Sequence, residues 1–578
     1  MPRIKILKWV LFAALAVIVV RLFFIQIVEH EAWVAKAAEQ HTLLETIVAD
    51  RGQIYMLDAG EPVAVAMNQT VYSVIIDPAM TDMDAIEAAL KEYAPEQITA
   101  DFKELKEKRD LRYFVVAKNV TKSAADKIAE KEIAYVWFQS NTKRVYPEGE
   151  LASGLLGFVN ADGIGQYGVE GSLNAKLRGK DGLLKTVADV NKVALSIGGE
   201  NTKIPAEDGE SVVLTVDRGI ERGVEEILAG MLETTPATNA AAIVLDPADN
   251  KILAMANMPN YNPADYGKVK DASAYLNYTT EVPYEPASVC KNFAFSAAIN
   301  EGKMTSETTY FNEGYTVVDG WKIQNAEQRG SLYGTITMKT ALYWSLNTGS
   351  IQALRLLGGD ANSINQAGRE KLHDYYYNKF RLGKETGIEL IEAEGMIPDP
   401  NEGYGRDSVY ANMTFGQNLS ITMIQTITAF SAVVNGGYWR TPYAVAGTMK
   451  DGEYVQAAHT EAIEEQILTD GTSAMMRDML QNNRSYKARG GIDRPGYAVG
   501  GKSGTAQVIR DGAYDATMSE TVATYIGYGG PSGELPKYVI MVKMWGEGKY
   551  MDGTAYTGAA FDSISNFMID YLKIKPKV

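Results

Sequence analysis

The chain has 578 residues, of which 46% are hydrophobic and 22% charged, and this composition predicts folded domains and excludes a disordered chain. A net charge of −16, with no evident cluster of lysine and arginine, argues against a nucleic-acid-binding protein. The single cysteine, Cys290, excludes an intramolecular disulfide, and the four histidines lack zinc-ligand spacing, so no metal or other cofactor is expected.

The N-terminal segment 9–28 is apolar except for Arg21 and Gln26. About 20 helical residues, rising about 1.5 Å each, span the roughly 30 Å hydrocarbon layer of a membrane. Basic residues precede the segment and acidic residues follow it, which predicts a cytoplasmic stub at 1–8, a single transmembrane anchor at 9–28 and an extracytoplasmic remainder. A cleaved signal peptide is the alternative, but hydrophobicity resumes after Arg21 and favours an uncleaved anchor. Because a charge within the bilayer is costly, Arg21 and Gln26 are predicted to face another membrane helix.

Within the region 29–205, the segment 31–48 has a helical pattern, and short elements of mixed type follow from 50 to about 205. The region 206–578 opens and closes with strand patterns and has mainly helical patterns at 288–437. The predicted strands are 208–217, a hairpin at 241–256, 501–509, 521–528 and 538–544. Helices enclosed between early and late strands predict an α+β domain with an antiparallel sheet.

The stretch GYAVGGKSGTAQV at 496–508 matches the nucleotide-binding pattern GxxxxGK[ST]. A phosphate-binding loop requires a helix after the lysine, because the helix N-terminus holds the phosphates. Here glycine and β-branched residues nearly alternate after Lys502, which predicts a strand. The extracytoplasmic location also disfavours an ATPase.

A helix is predicted to begin at Pro286 and to end before Gly302. Ser288 and Lys291 form an SxxK motif within it, so both side chains leave the same face. No histidine is near in sequence and no GxSxG motif contains a candidate serine, so lysine, as the neutral amine, is the expected base. Burial and a second cation, for which Lys502 is a candidate, favour that neutral form. A Cys290 nucleophile is disfavoured because its side chain points to another face of the helix.

Ser345 and Asn347 form a third motif, SxN, between two helical patterns. SxxK, SxN and KSG, in this order behind a membrane anchor, resemble the motif set of penicillin-binding proteins and serine β-lactamases. The chain as a whole resembles a class B penicillin-binding protein, a monofunctional peptidoglycan transpeptidase. Stretches similar to the family's elongated N-terminal pedestal and to its serine β-lactamase-like catalytic domain are, for example, ADRGQIY at 49–55, KRVYPEGELASGLLGFVN at 143–160, FGQNLSIT at 415–422 and NGGYWRTP at 435–442.

The resemblance implies a set of catalytic residues. Ser288 would attack the D-Ala-D-Ala end of a stem peptide, and Lys291 would accept its proton. Ser345, helped by Lys502, would pass a proton to the leaving amine, and Asn347 would hold the substrate amide.

The resemblance also implies how the substrate is bound. Ser503 and Thr505 would hold its terminal carboxylate beside Lys502. The backbone N–H groups of Ser288 and Thr505 would form the oxyanion pocket, and Gly504 would let the substrate approach closely. Two departures from the family pattern, a cysteine at 290 and KSG where KTG is commoner, leave this chemistry intact.

Further expectations concern the biological role. The resemblance implies acylation by β-lactams, a part in cell division or elongation, and a membrane glycosyltransferase of the SEDS type as partner. A β-lactamase, carboxypeptidase or β-lactam sensor would share the three motifs, but the long pedestal fits them less well. A catalytically silent scaffold of a wall-building complex is the alternative from another functional class.

Overall fold

The computed structural model describes residues 2–33, 36, 42–107, 110–187, 202–459, 462–486, 494–510, 513–514 and 517–577. The chain divides into two compact units. One consists of Met1–Gly52 with Arg178–Glu210, and the other of Gln53–Leu177 with Ser211–Val578.

The first unit begins with the predicted apolar helix. An α-helix at Pro2–Phe23 continues as a π-helical turn at Phe24–Val28, and this helix is long and apolar enough to cross a membrane. The unit also contains a three-stranded antiparallel sheet formed by Thr42–Ile47, Gly182–Val187 and Thr202–Ile204.

The helix predicted at 31–48 is only partly present. Residues 30–33 are helical, residues 34–35 and 37–41 lie outside the described residues, and Thr42–Ile47 is a strand. This strand pairs antiparallel with Gly182–Val187. A partner far along the chain therefore overrides the local helical pattern.

The second unit begins with Gln53–Leu177, here called the pedestal portion. Four of its strands belong to a seven-stranded sheet, and Phe158–Val159 pairs with Gly165–Gln166 in a separate small sheet. Six strands run across the sheet in the order Glu453–Gln456, Val445–Lys450, Ser211–Asp217, Ile54–Asp58, Glu61–Ile76 and Phe114–Thr121, and Val136–Val145 pairs with the long strand Glu61–Ile76. Only the pair of Ile54–Asp58 with Ser211–Asp217 is parallel within this sheet. Helices in this portion are Met83–Tyr93, Phe102–Leu105, Lys122–Ala129, Ser153–Leu156, Gly168–Ser172 and Asn174–Arg178.

A buried ion pair lies in the pedestal portion. Arg144 donates from Nε to Glu170 Oε1 at 2.7 Å, and Glu170 is fully buried. A second guanidinium nitrogen of Arg144 donates to Asn68 Oδ1 at 2.9 Å, and the Tyr146 hydroxyl donates to Glu170 Oε1 at 3.4 Å. Because the charges are compensated within the fold, loss of either partner would leave an unpaired buried charge.

The rest of the second unit, Ser211–Val578, is here called the catalytic portion because the three motifs lie in it, and it contains the predicted antiparallel sheet, which confirms the α+β fold class. Its five strands are ordered Ile252–Met258, Asn239–Leu245, Tyr538–Trp545, Thr521–Pro531 and Tyr497–Gln507. The last of these, the KSG strand (Tyr497–Gln507), lies at one edge of the sheet. The central strand is Tyr538–Trp545.

Helices cover both faces of this sheet because both faces are apolar. One face packs on Arg218–Thr234 and Gly558–Tyr571. The other faces a larger core that includes the helices Lys291–Asn300, Met423–Val434 and Asp470–Tyr486. Remaining helices are Met338–Tyr343, Asn347–Leu357, Gln366–His373 and Asp407–Met413.

The mainly helical pattern expected at 288–437 is interrupted by two hairpin-like sheets. Strands Thr309–Asn312 and Gly334–Thr337 pair with each other, and Tyr315–Val318 pairs with Trp321–Gln324. The expected helical structure is therefore absent from the described strands between 309 and 337, although most other elements of 288–437 are helices. These strands have only four residues each, which is too short for a periodicity to identify them.

Two buried carboxylates lie on the helix Arg218–Thr234. Glu221 accepts from the backbone N–H of Met255 at 2.7 Å, and Glu225 accepts from that of Ala152 at 2.8 Å. Burial, with the Glu225 carboxylate nearby, raises the pKa of Glu221 to about 8, and burial raises the pKa of Glu225 to about 7. Both groups therefore favour their protonated forms far more than exposed carboxylates do.

Candidate active site

The candidate nucleophile lies in a tight turn. Residues Ala287–Cys290, the nucleophile turn, form a 3₁₀ turn that leads directly into the helix Lys291–Asn300. Ala287 has φ 55°, and its backbone N–H donates to the Gly416 carbonyl at 3.2 Å. A Cβ on Gly416 would lie 2.1 Å from the Ala287 carbonyl oxygen, so only glycine fits beside this turn. Ser288 is half-buried within it.

Lys291 joins the SxxK motif to the SxN motif. Its side chain is fully buried, and its Nζ donates to the Ser345 carbonyl at 2.6 Å, to Ser345 Oγ at 3.2 Å and to Asn347 Oδ1 at 2.8 Å. Ser345 has φ 55° in the short link between Met338–Tyr343 and Asn347–Leu357. The structure thus brings together residues from two motifs that are distant in sequence.

The SxN asparagine is also held from its other side. Asn347 Nδ2 donates to the Gln324 carbonyl at 2.9 Å, at the end of one of the short hairpins. Its amide is therefore oriented with the oxygen toward Lys291 and the nitrogen toward the hairpin. The hairpin that sequence periodicity missed thereby orients a site residue.

The KSG strand lies directly against the nucleophile turn. A Cβ on Gly504 would lie 2.6 Å from the Pro286 carbonyl oxygen and 3.4 Å from the Ser288 backbone nitrogen. Lys502 is 1% exposed, and its Nζ donates to the Ser503 carbonyl at 2.7 Å. The third motif therefore contributes to the same region through its backbone.

Two residues that were not predicted from the sequence form hydrogen bonds with the hydroxyl groups of Ser503 and Thr505 on the KSG strand. Thr554 Oγ1 donates to Ser503 Oγ at 2.9 Å, and the Gly553 backbone N–H donates to Thr505 Oγ1 at 3.1 Å. Both belong to the π-helical segment Gly553–Thr557 before the last helix. No motif in the sequence marks them, because their role follows from a contact between remote segments.

A second missed group is a carboxylate beside the nucleophile turn. Glu285 Oε1 accepts from the Asn418 backbone N–H at 2.8 Å and from the Tyr514 hydroxyl at 2.8 Å. Burial raises the pKa of Glu285 above its usual value. Gln417 Nε2 also donates to Gln507 Oε1 at 3.2 Å, so the stretch FGQN contacts the KSG strand.

Other candidate chemistries receive no support from the geometry. Cys290 is fully buried in the core, and burial raises the pKa of its thiol far above the usual range, so it is not a competent nucleophile. Lys502 lies within a strand, as predicted, whereas a phosphate-binding loop would lead into a helix. No cluster of three or more His, Cys, Asp or Glu that could hold a metal ion occurs among the described residues.

Two family sequence models match the chain. "Penicillin binding protein transpeptidase domain" matches residues 240–566, and "Penicillin-binding Protein dimerisation domain" matches residues 46–214. The first match covers the three motifs.

Individual relatives are similar to the chain over most of its length. The chain is 29% identical over 415 residues to stage V sporulation protein D of Bacillus subtilis, covering 71% of this chain and 61% of that protein. It is 28% identical to penicillin-binding protein PbpB of Mycobacterium tuberculosis, and the match covers 80% of this chain and 66% of that protein. It is 24% identical to peptidoglycan D,D-transpeptidase FtsI of Buchnera aphidicola, and the match covers 98% of this chain and 94% of that protein. The chain thus spans less than two thirds of the length of the first two relatives.

Solved structures share the fold. Penicillin-binding protein 2X of Streptococcus thermophilus matches with a TM-score of 0.72 and 23% identity, covering 92% of this chain and 80% of that one. Penicillin-binding protein 3 of Mycobacterium tuberculosis, solved as a complex with aztreonam, matches with a TM-score of 0.67 and 22% identity, covering 92% and 98%.

Proposed function

The chain belongs to the penicillin-binding protein transpeptidases, and from that premise we propose that it is a serine-type peptidoglycan D,D-transpeptidase. The observation that carries the proposal is the contact of one buried amine, Lys291 Nζ, with both Ser345 and Asn347. The close approach of Gly504 to the Ser288 backbone supports the same assignment. A chance occurrence of three short motifs would not place them together in this way.

In the proposed acylation step, Ser288 Oγ attacks the carbonyl carbon of the penultimate D-Ala. Lys291 first loses to solvent one of the protons that it donates to Ser345 and Asn347, and as the neutral amine it then accepts the hydroxyl proton. The carbon–oxygen bond forms, the peptide carbon–nitrogen bond breaks, and the terminal D-Ala leaves as an amine after receiving a proton through Ser345. Lys502 assists this proton transfer.

The backbone and the hydroxyls supply binding and charge stabilisation in this proposal. The N–H groups of Ser288 and Thr505 stabilise the oxyanion, and loss of one such donor typically costs about 3 kcal/mol in the transition state. Ser503, Thr505 and Lys502 bind the substrate carboxylate. Gly504 lets the KSG strand lie close to the nucleophile turn, because a Cβ there would be 2.6 Å from the Pro286 carbonyl oxygen.

In the second step, the amine of a neighbouring stem peptide attacks the ester carbonyl. A new peptide bond forms, the bond to Ser288 Oγ breaks, and the serine recovers its proton. A β-lactam would acylate the same serine without a rapid second step, since its opened ring remains attached.

The proposal includes the arrangement at the membrane. The apolar N-terminal helix and the wall-synthesis relatives indicate a membrane-anchored protein. We further propose a cytoplasmic stub at 1–8, an anchor at 9–28, a pedestal at 29–205 and an extracytoplasmic transpeptidase domain at 206–578. A SEDS-type glycosyltransferase is the proposed membrane partner, with Arg21 within the anchor as a candidate contact.

Fluorescent penicillin labelling tests the proposed function. The parent protein is expected to form a stable covalent adduct that mass spectrometry locates on Ser288, and Ser288→Ala is expected to form none. Ser563→Ala, which removes an exposed serine on the helix Gly558–Tyr571, is the matched control and should label normally. An unlabelled parent would instead support the silent scaffold, and rapid loss of the label would support a β-lactamase.

A further inference from the structure

A lysine outside the three motifs is buried in the catalytic portion. Lys543 lies on the central strand and is 3% exposed. Its Nζ lies 4.1 Å from the ring centroid of Tyr284 and 4.6 Å from that of Trp545. Among the described residues, no carboxylate forms an ion pair with this amine. Its immediate electrostatic partners are therefore two aromatic rings.

Burial and the two rings act on the charge of Lys543 in opposite directions. Burial lowers the pKa of Lys543 to about 7. The negatively polarised ring faces favour the ammonium form and oppose this effect. When the amine is charged, attraction between it and the rings restrains the positions of both.

Tyr284 connects this amine to the nucleophile turn. The residue lies shortly before Ser288, and its backbone N–H and carbonyl each pair with Ile421 at 3.0 Å. Its hydroxyl shares a hydrogen bond with Thr524 Oγ1 at 3.2 Å. The position of the ring therefore constrains the segment that leads into the nucleophile turn.

A row of paired residues makes a second connection. Lys543 is the cross-strand partner of Thr524, and Thr524 is the partner of Gly504. Gly504 in turn lies against the Ser288 backbone nitrogen. The row thus leads from the buried amine to one of the two N–H groups assigned above to the oxyanion pocket.

We propose that Lys543 is a positioning residue for acylation, whose ammonium between Tyr284 and Trp545 fixes the segment leading into Ser288 and hence the oxyanion pocket. The inference rests on the proposed function, because it concerns the rate at which Ser288 is acylated. Lys543 acts through Tyr284 and through the row that ends at Gly504.

Acylation kinetics of the full-length protein in detergent test the inference. Fluorescent penicillin at increasing concentrations separates the acylation rate constant from the dissociation constant of the non-covalent complex. Lys543→Met keeps the side-chain length and removes the charge, and it is expected to acylate about tenfold more slowly with an unchanged dissociation constant. Its melting temperature should rise, because a buried amine is lost. A side chain with only a structural role would not slow acylation while stabilising the fold.

The control and the second variants make the test specific. Met544→Leu changes a neighbour whose side chain lies in the core on the opposite face of the sheet, and it should acylate at the parental rate. Tyr284→Leu should slow acylation about as much as Lys543→Met, and the double variant should be no slower than either single one, because both remove one interaction. If Lys543→Met does not fold, Trp545→Leu removes one ring and should also slow acylation.

Four outcomes distinguish the hypotheses. A parental acylation rate for Lys543→Met would overturn the positioning role, as would effects of the Lys543 and Tyr284 variants that simply multiply. If Lys543→Met does not fold, a parental rate for Trp545→Leu would do the same. A parent protein that is not labelled would overturn the proposed function itself, independently of Lys543.

Discussion

Gly504 allows the sharpest perturbation of the site. In Gly504→Ala, the new methyl group would lie 2.6 Å from the Pro286 carbonyl oxygen and 3.4 Å from both the Ser288 nitrogen and Ala287 Cβ. Ordinary contacts of a methyl carbon are about 3.5 Å, so the KSG strand and the nucleophile turn would have to separate by nearly 1 Å. Pro286 O is a backbone atom and cannot move aside as a flexible side chain would.

This separation predicts a large kinetic effect. Displacement of reacting groups by about 1 Å can cost about 100-fold in rate. We therefore expect the acylation rate constant of Gly504→Ala to fall about 100-fold, measured with fluorescent penicillin on the full-length protein. Circular dichroism should show a folded protein, because the added group affects one contact between segments.

The matched control is another glycine. Gly230 lies in the helix Arg218–Thr234, and a Cβ there would meet no heavy atom within 4 Å. Gly230→Ala should therefore acylate normally and gain about 0.5–1 kcal/mol of stability through helix propensity. If Gly504→Ala were acylated at the rate of the control, the two segments would not be in the close contact described, and the assigned oxyanion pocket would be wrong.

Three further predictions concern the stability of the fold and the hydrogen bond between Thr554 and Ser503. Glu221→Gln should stabilise the protein by about 3 kcal/mol at pH 8 and by little at pH 5, as measured from melting curves at the two pH values. The protonated Glu221 side chain contributes stability below the pKa that it has in the unfolded chain, and this contribution is lost as the pH rises toward its folded pKa of about 8. Equal gains at the two pH values would refute the buried pair with Glu225. Arg144→Met should lower the free energy of unfolding in urea by about 3–5 kcal/mol, because it leaves Glu170 as an unpaired buried charge. A loss below about 1 kcal/mol would contradict the burial of this ion pair. Thr554→Val should weaken the non-covalent binding of penicillin severalfold with little change in melting temperature, since it removes the hydrogen bond to the KSG serine; unaltered binding would show that this contact does not orient the serine.

Local patterns predicted the long elements and the order of the motifs. Alternation of residue types predicted the strand containing Lys502, and turn residues predicted the hairpin at 241–256. The interruption of helical periodicity predicted the link at Ser345. They agree with the structure because local preference and tertiary packing favour the same conformation.

Features that depend on remote partners could not be predicted in this way. Thr42–Ile47 is a strand because it pairs with Gly182–Val187, although its own sequence also suits a helix. The contact of Thr554 with Ser503 joins two segments without a shared motif. The left-handed backbone of Ala287 is likewise explained only by Gly416, which lies beside it in space and far away in sequence.

The order of the five-stranded sheet has a consequence for biogenesis. Asn239–Leu245 pairs with Tyr538–Trp545, so one edge of the earliest strand of this sheet has no partner until the latest strand has been synthesised. Contacts so distant along the polypeptide fold slowly and expose apolar strands meanwhile. Until that late strand has been made, the sheet that contains Lys502 is incomplete, and the apolar strands of an unfinished chain are exposed to aggregation.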